Sequence, residues 1–253
     1  MASDGIYIRQ YRPSDLPQIR LLIFEEASIT RAAKRAFLLK PASLIAYILG
    51  GIGLGLLSLP DGWCSPAATL GALLCVTGIA LFTAVRRGIT QALVIYCEEA
   101  LKTDLEDITT HYRAPAAFFV AARPCSEKAD NSVAEGTEEV VGYVGFDYQP
   151  DKNPETAVVR RMIVSEKHRG CGIAGRTMHA LLAHAETIPA LQCIELGTSE
   201  YQPAAQRLYE RLGWEVAWVD QWVDPLGGWL WKVQIRHFRK PVGAAASLKV
   251  QVQ

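Results

Sequence analysis

The sequence lacks the charge imbalance and the paired cysteines that mark several common classes of protein. Its 26 basic and 26 acidic residues cancel, so it has no net positive charge to attract nucleic acid. Its six cysteines include no Cys-x-x-Cys pair, which favours reduced thiols over a disulfide set. No His-Glu-x-x-His segment occurs, and His179 and His184 do not share a helix face. We therefore expect no nucleic-acid partner and no metal.

Charge is also missing from one long stretch. Between Lys40 and Arg86 the only ionisable charged residue is Asp61, and the runs 41–60 and 66–85 hold 20 uncharged residues each. Twenty helical residues match the hydrocarbon thickness of about 30 Å. The pattern predicts a helical hairpin in a bilayer, with a hairpin buried in a soluble bundle as the alternative. Three glycines of the first run favour close helix packing, above all a small-xxx-small pair at 51 and 55: Gly51, Gly53 and Gly55.

Residues 164–174, VSEKHRGCGIA, join the end of a β-branched strand to the start of an amphipathic helix. Gly170 and Gly172 allow a tight turn and a close approach to a ligand. The first N–H groups of the helix have no internal acceptor and attract an anion, and Arg169 adds a positive charge. The segment therefore predicts a pyrophosphate site.

Residues 202–214, QPAAQRLYERLGW, follow a short strand and indicate a second helix. Pro203 suits its first turn and Gly213 its end. The two segments, in this order, resemble the Arg-x-x-Gly-x-Ala and Asn-x-x-Ala-x-x-Leu-Tyr-x-x-x-Gly-Phe signatures of the GNAT superfamily of N-acetyltransferases. Gln202 stands in the Asn place of the second signature and Trp214 in its Phe place.

The chain as a whole resembles the camello-type membrane-anchored branch of that superfamily, which includes the cysteine S-conjugate N-acetyltransferase. The matching parts are the apolar hairpin and the segments 107–112, 118–121 and 164–174. The resemblance implies an α/β (α+β) fold, with a mixed, mostly antiparallel sheet flanked by helices and an inserted transmembrane hairpin. Four parts are expected: a first strand and helix in 1–36, the hairpin in 37–87, the acetyltransferase core in 88–240 and a tail in 241–253.

The resemblance also implies acetyl-CoA as cosubstrate. Tyr209 matches the tyrosine that GNAT proteins aim at the CoA sulfur, so we expect it to act as the general acid, a core aromatic being the alternative. Main-chain groups of two residues would bind the pantetheine and the thioester carbonyl, and seven further residues would bind the rest of the cofactor: Val164 and Ser165, then Arg169, Gly170, Cys171, Gly172, Ile173, Ala174 and Gln202.

The general base has several candidates. Many relatives carry a glutamate early in the fourth strand, where this chain has Val158. Either the amine arrives neutral through water, or Glu195 on the fifth strand serves, unless Glu195 is only a paired carboxylate. His168 is a weaker candidate. Arg160 and Arg161 either bind an acidic substrate or line the sheet.

These features predict a membrane-anchored N-acetyltransferase that acts on a primary amine of a small molecule, an amino-acid conjugate or a lysine. The alternatives are a non-catalytic acyl-CoA-binding membrane protein and a biosynthetic acyltransferase with another acyl donor. The first 18 residues are polar, so we expect no cleavable signal peptide. Basic residues flank the hairpin and are absent from its turn, which predicts that both flanks face the cytosol. We expect an internal membrane, that of the endoplasmic reticulum.

Overall fold

The computed structural model describes residues 5–25, 35, 38, 41–59, 65–124, 138–223 and 232–243. These residues form seven strands, six α-helices and two single-turn 3-10 helices. The strands are β1 (Tyr7–Gln10), β2 (Ala117–Pro124), β3 (Glu138–Asp147), β4 (Thr156–Val164), β5 (Cys193–Ser199), β6 (Glu215–Val223) and β7 (Lys232–Pro241). The helices are α1 (Leu16–Glu25), α2 (Pro41–Leu57), α3 (Pro66–Lys102), α4 (Ile108–His111), α5 (Ile173–Ala185) and α6 (Pro203–Arg211).

The strands form one sheet in the order β1-β2-β3-β4-β5-β7-β6. Every neighbouring pair is antiparallel except β4 and β5, which run parallel. This confirms the predicted mixed, mostly antiparallel sheet flanked by helices. The last strand, β7, lies between β5 and β6, a position that the sequence pattern did not predict.

Helices α5 and α6 cover one face of the sheet. Their side chains form a core with alternate residues of the strands, among them Val159, Leu181, Leu196, Tyr209 and Phe238. The opposite face is covered over β2, β3 and β4 by α1, α4 and the C-terminal end of α3. We call the remaining part of that second face, over β5, β7 and β6, the open face, because the core cluster on this side contains no described residue of those strands.

Helices α2 and α3 pack against each other in antiparallel directions at three glycines. A Cβ on Gly53 would lie 2.6 Å from the carbonyl oxygen of Gly71, and one on Gly78 would lie 2.8 Å from that of Ala46. Gly51 and Gly55 have nothing within 4 Å. The expectation that Gly51 and Gly55 lie at the interface was therefore wrong. Gly53 faces α3, and residues two positions before or after it on the helix point about 200° away from it.

Helix α3 is continuous over 37 residues, although the sequence analysis ended the hairpin at residue 87 and began the catalytic core at residue 88. Ser65 caps it, since its Oγ accepts a hydrogen bond from the N–H of Ala68 at 3.1 Å. Gly88 lies inside it, at a cost of about 1 kcal/mol that does not end a packed helix. Within the described ranges, Pro66–Gly88 is the one stretch long and apolar enough to cross a membrane, and α2 is shorter. The predicted turn at 61–64 lies outside the described residues.

Candidate active site

Strands β4 and β5 run together for only three residue pairs and then separate. The pairs are Thr156 with Cys193, Ala157 with Ile194, and Val158 with Glu195. Beyond them β4 continues along β3 to Val164, while β5 continues along β7 to Ser199. We call the space between the two diverging strands the strand gap. Main-chain N–H and C=O groups that face it have no ladder partner across it, so they can bind an amide-containing ligand.

A bulge bends β4 where it leaves β5. The register of β3 with β4 shifts between Tyr143 and Gly145, and Arg161 adopts φ +56°, the one positive φ of a non-glycine residue in the described ranges. This conformation costs about 1–2 kcal/mol, so the surrounding structure must hold it.

The side chain of Arg161 is held by a buried acid at the end of α3. Its Nε and Nη2 donate to Asp104 at 2.9 and 2.8 Å, and the hydroxyl of Tyr112 donates to the same carboxylate at 2.8 Å. The Arg161 and Asp104 side chains are 8% and 3% exposed. Burial alone would raise the pKa of Asp104, but the hydrogen bonds and charge of Arg161 outweigh burial and lower it. Arg161 is thus a structural partner of Asp104 rather than a residue open to a substrate.

The loop after β4 has the geometry of an anion site. Gly170 and Gly172 adopt φ +82° and +74°, and a Cβ on either would have nothing within 4 Å. The first hydrogen bond of α5 runs from the N–H of Arg176 to the carbonyl of Gly172 at 3.1 Å. The N–H groups of Ile173 and Ala174 therefore have no intrahelical acceptor and lie at the positive end of the helix dipole.

The other predicted loop residues lie around this site. The Nε of Arg169 donates to the carbonyl of Val164 at 3.2 Å, which keeps its charge beside the loop. Cys171 is an exposed free cysteine. Ser165 is buried, and its N–H donates to the carbonyl of Val141 at 2.9 Å. The loop fits the pyrophosphate of a CoA molecule, because free N–H groups, a helix N-terminus and a guanidinium converge on open space.

Tyr209 reaches the strand gap from α6. Its ring is buried against Phe238 and Trp214, with centroids 5.6 and 6.0 Å away. Its hydroxyl lies 3.9 Å from the sulfur of Met162, on the part of β4 that has left β5. Gln202 ties the start of α6 to β5, because its Oε1 accepts a hydrogen bond from Thr198 at 2.8 Å.

Glu195 is a paired carboxylate. The Nε of Arg239 on β7 donates to its Oε1 at 2.8 Å, and Nη2 of Arg239 contacts the same oxygen. Val158 lies directly beside Glu195 on β4 and brings no titratable group. His168 lies in the short 3-10 helix of the glycine loop (Glu166–His168), where its N–H donates to the carbonyl of Ser165 at 3.0 Å.

Two polar residues of the open face, Asp220 and His237, were missed by sequence reasoning. The ring of Trp218 stacks on His237 with centroids 4.5 Å apart and planes 9° apart. His237 Nε2 lies 3.0 Å from Asp220 Oδ2. Strand alternation in the sequence could have placed these side chains on one face, but it could not show that β7 lies next to β5.

Arg160 on β4 forms an ion pair with Asp147 on β3 at 2.7 Å, and His111 lies 3.6 Å from the same carboxylate. Arg160 is 47% exposed, so its guanidinium stays accessible to a ligand on that side. In the described ranges, no group of three or more His, Cys, Asp or Glu side chains is placed to hold a metal ion.

Comparison with known proteins also indicates an acetyltransferase. The sequence model described as "Acetyltransferase (GNAT) family" matches residues 96–214. Human N-acetyltransferase 8B is 30% identical over 216 residues, covering 83% of this chain and 84% of the human protein. The N-acetylaspartate synthetase of Danio rerio is 27% identical, covering 82% of this chain and 66% of its own length. The chain thus spans about two thirds of the zebrafish synthetase.

Solved structures give weaker likenesses. An acetyltransferase of the GNAT family from Staphylococcus aureus covers 93% of this chain and 98% of its own, with 14% identity and a TM-score of 0.45. Arabidopsis thaliana NAA60 in complex with acetyl-CoA covers 51% of this chain and 76% of its own, with 15% identity and a TM-score of 0.38.

Proposed function

The chain belongs to the acetyltransferase (GNAT) family, and from that premise we propose that it transfers the acetyl group of acetyl-CoA to a primary amine. The observation that carries the proposal is the parting of β4 and β5 after Val158 and Glu195, beside a glycine loop that opens α5. The gap and the loop together offer one continuous site for the thioester, the pantetheine arm and the pyrophosphate.

The amine attacks the thioester carbonyl directly, without a covalent enzyme intermediate. Main-chain groups of β4 that face the gap, at Val164, bind the pantetheine and thioester and stabilise the oxyanion. The N–H of Ser165 already donates to Val141 on β3, so Ser165 holds the end of β4 in place. The loop residues 169–174 bind the pyrophosphate. Tyr209, which reaches β4 across the gap, donates a proton to the departing CoA sulfur. Gln202 positions α6 and so Tyr209.

The acceptor we propose is an amino acid or amino-acid conjugate that carries a carboxylate. One relative supports this class by name, the N-acetylaspartate synthetase. Arg160 lies on β4, which borders the gap, and Arg239 lies on β7, next to β5. Their half-exposed guanidiniums are paired with Asp147 and Glu195, and each keeps further N–H groups that can bind an acceptor carboxylate.

We also propose that the chain is a member of the camello-type branch, anchored in an internal membrane, that of the endoplasmic reticulum, by α2 and the first part of α3. Apolar side chains on the outer faces of this hairpin support the anchor, since these are half or more exposed: Ile48, Ile52, Leu54, Leu73, Val76 and Ile79. With Arg86 and Arg87 at the exit of the span, the catalytic domain faces the cytosol.

The test is release of free thiol from acetyl-CoA by the full chain in detergent. The acceptors are L-aspartate, an S-benzyl cysteine, the amide of that cysteine and a lysine peptide. We expect release with the carboxylate-bearing amines and much less with the amide, since the amide differs only at the carboxyl group. Acetyl-CoA binding without release by any amine would favour a non-catalytic acyl-CoA-binding protein.

A further inference from the structure

An acceptor amine must lose a proton before it can attack, and the expected groups are not placed to take it. Amines of amino acids and lysines have pKa values of about 8 to 10 and are largely protonated near pH 7. The β4 position that many relatives fill with glutamate holds Val158, an apolar side chain. Glu195 is bound by Arg239, so accepting a proton would break an ion pair. Asp147 is bound by Arg160 in the same way.

His237 is the group on the open face that is placed to do this. In the antiparallel register His237 lies opposite Gly197, which is two residues beyond Glu195, the last residue of β5 that pairs with β4. Phe238 points into the core under α5 and α6, so His237 points to the opposite face. The side chain therefore stands beside the strand gap, on the side away from Tyr209.

Gly197 is the β5 residue that lies next to the Nδ1 edge of this imidazole. A Cβ at residue 197 would lie 3.4 Å from Cε1 and 3.5 Å from Nδ1 of His237. A larger side chain there would press on the ring and close the approach to Nδ1. The edge of the ring that carries Nδ1 therefore faces β5, on the side of β7 that is nearer to the strand gap.

Two residues of β6 fix the ring. Asp220 Oδ2 is 3.0 Å from His237 Nε2, and the Trp218 ring stacks on the imidazole. The indole Nε1 of Trp218 donates to the same Asp220 oxygen at 3.2 Å. The tautomer with its hydrogen on Nε2, beside the Asp220 carboxylate, leaves on Nδ1 the lone pair that accepts a proton. No hydrogen bond to Nδ1 is formed within the described part of the chain.

The charged groups around His237 come from three strands. Asp220 and Glu215 lie on β6, Glu195 lies on β5, and Arg239 lies on β7 with its guanidinium 6.0 Å from the Trp218 ring. Arg239 is bound to Glu195, so the nearest group that faces the charge formed on the imidazole is the carboxylate of Asp220.

We propose that His237, oriented by Asp220 and Trp218, is the general base of the acetyl transfer; the inference rests on the proposed function. The substrate ammonium gives a proton to Nδ1, the neutral nitrogen forms the C–N bond, and the C–S bond breaks. His237 passes its proton to water. The second proton leaving the nitrogen replaces, through solvent, the one that Tyr209 gives to the CoA sulfur. Acid and base thus act from opposite faces of the sheet.

The experiment compares the full chain in detergent with His237→Gln over a range of pH, using the acceptor that the wild type acetylates. The matched control is His179→Gln, an exposed histidine of α5. We expect kcat/KM of His237→Gln to be about 10²-fold lower near pH 7. The deficit narrows above about pH 9, where the amine loses its proton without help. Acetyl-CoA affinity and the control should match the wild type.

Asp220→Asn gives a second measurement, because Asp220 is 62% exposed and its loss leaves the fold intact. We expect a smaller loss of about 10-fold with the same recovery at high pH, since the aspartate only orients the base. Wild-type kcat/KM in both variants near pH 7, or a deficit of equal size at every pH, would overturn His237 as base. Absence of transfer by the wild type would overturn the proposed function itself, and this inference with it.

Discussion

At the scale of single residues, Tyr209 combines a packing role with the proposed role of general acid. Its ring lies in the core between Phe238 and Trp214, while its hydroxyl reaches Met162 on the diverging part of β4. The two roles separate cleanly, because phenylalanine keeps the ring and loses only the hydroxyl.

For Tyr209→Phe we expect kcat to fall about 10²-fold, because the CoA thiolate then leaves without a proton donor. The dissociation constant of acetyl-CoA should stay unchanged. Thiol release and equilibrium binding measure the two quantities. Tyr7→Phe, at the far edge of the sheet on β1, is the matched control and should resemble the wild type. Unchanged turnover in Tyr209→Phe would make Tyr209 a core aromatic only.

A second prediction concerns Asp104, which binds Arg161 and Tyr112 in the interior. Asp104→Asn leaves the Arg161 charge without its partner, and breaking such a buried pair costs about 3–5 kcal/mol. We expect a clear fall in Tm at pH 7, measured in detergent, and weakened activity through the β4 bulge. Asp107→Asn, an exposed helix cap, is the control and should cost about 1 kcal/mol or less.

The same pair predicts a pH dependence. The folded-state pKa of Asp104 lies below its ordinary value of 3.8, so its contribution is fully present above that value and is lost as the pH falls through the lower, folded-state pKa. The Tm difference between wild type and Asp104→Asn should be constant above about pH 5 and shrink on acidification below about pH 4. A difference that stays the same down to pH 3 would contradict the ion pair as its source.

Prediction from sequence succeeded at the residue scale where local pattern sets conformation. Gly170 and Gly172 were expected at a turn, and both adopt positive φ. The partner of Arg161 was out of reach, since Asp104 is 57 residues away. His237 was missed for the same reason, because its neighbours Gly197 and Asp220 come from two other strands.

At the scale of elements, the loop before α5 needs glycine at residue 172 because of the backbone conformation there and not because of a lack of space. Gly172 has φ +74° but open space around it. Gly172→Ala therefore costs about 1–2 kcal/mol through backbone strain alone, which the loop can relieve by leaving the conformation that binds an anion.

For Gly172→Ala we accordingly expect about 10-fold or greater loss of acetyl-CoA affinity, with the fold retained. Isothermal titration with acetyl-CoA measures it. The control is Gly175→Ala, in the helical part of α5, where a Cβ meets only Leu208 Cδ1 at 4.0 Å and helix propensity improves. Equal affinities in the two variants would argue against this loop as the pyrophosphate site.

The hairpin of α2 and α3 allows a similar comparison, between a glycine at the helix contact and a glycine outside it. Gly78→Leu places side-chain atoms where a Cβ already lies 2.8 Å from the Ala46 carbonyl, whereas Gly55→Leu meets nothing within 4 Å. We expect Gly78→Leu to push α2 and α3 apart and lower Tm in detergent, and Gly55→Leu to leave Tm near that of the wild type. A fall of the same size in both would contradict the glycine-lined contact.

At the scale of the whole molecule, one helix, α3, connects the apolar stretch to the core of the catalytic domain. The first part of α3 is the apolar stretch Pro66–Gly88, and its last turns, with Ala100 fully buried, pack in the core beneath β2 and β3. The sequence predicted both parts but separated them at residue 87, because charge and hydropathy change there while the backbone does not. The proposed boundaries of the parts remain predictions.

The proposed orientation is testable through Cys171, which is exposed on the catalytic domain. In sealed microsomes, a membrane-impermeant maleimide should modify the chain without detergent, because the proposed orientation places both flanks of the hairpin outside the vesicle. Cys171→Ser should lose most of this labelling. Labelling of Cys171 only after detergent is added would place the catalytic domain in the lumen.

In the proposed membrane arrangement, the unbroken helix α3 also fixes the rotation of the catalytic domain about the membrane normal. About twelve residues separate Gly88 from Ala100, which corresponds to roughly 18 Å of rise and more than three full turns. One residue inserted between them would lift the open face by about 1.5 Å and swing it through about 100°. The number of residues in this part of α3 therefore sets the direction in which His237 and the strand gap face along the surface of the proposed bilayer.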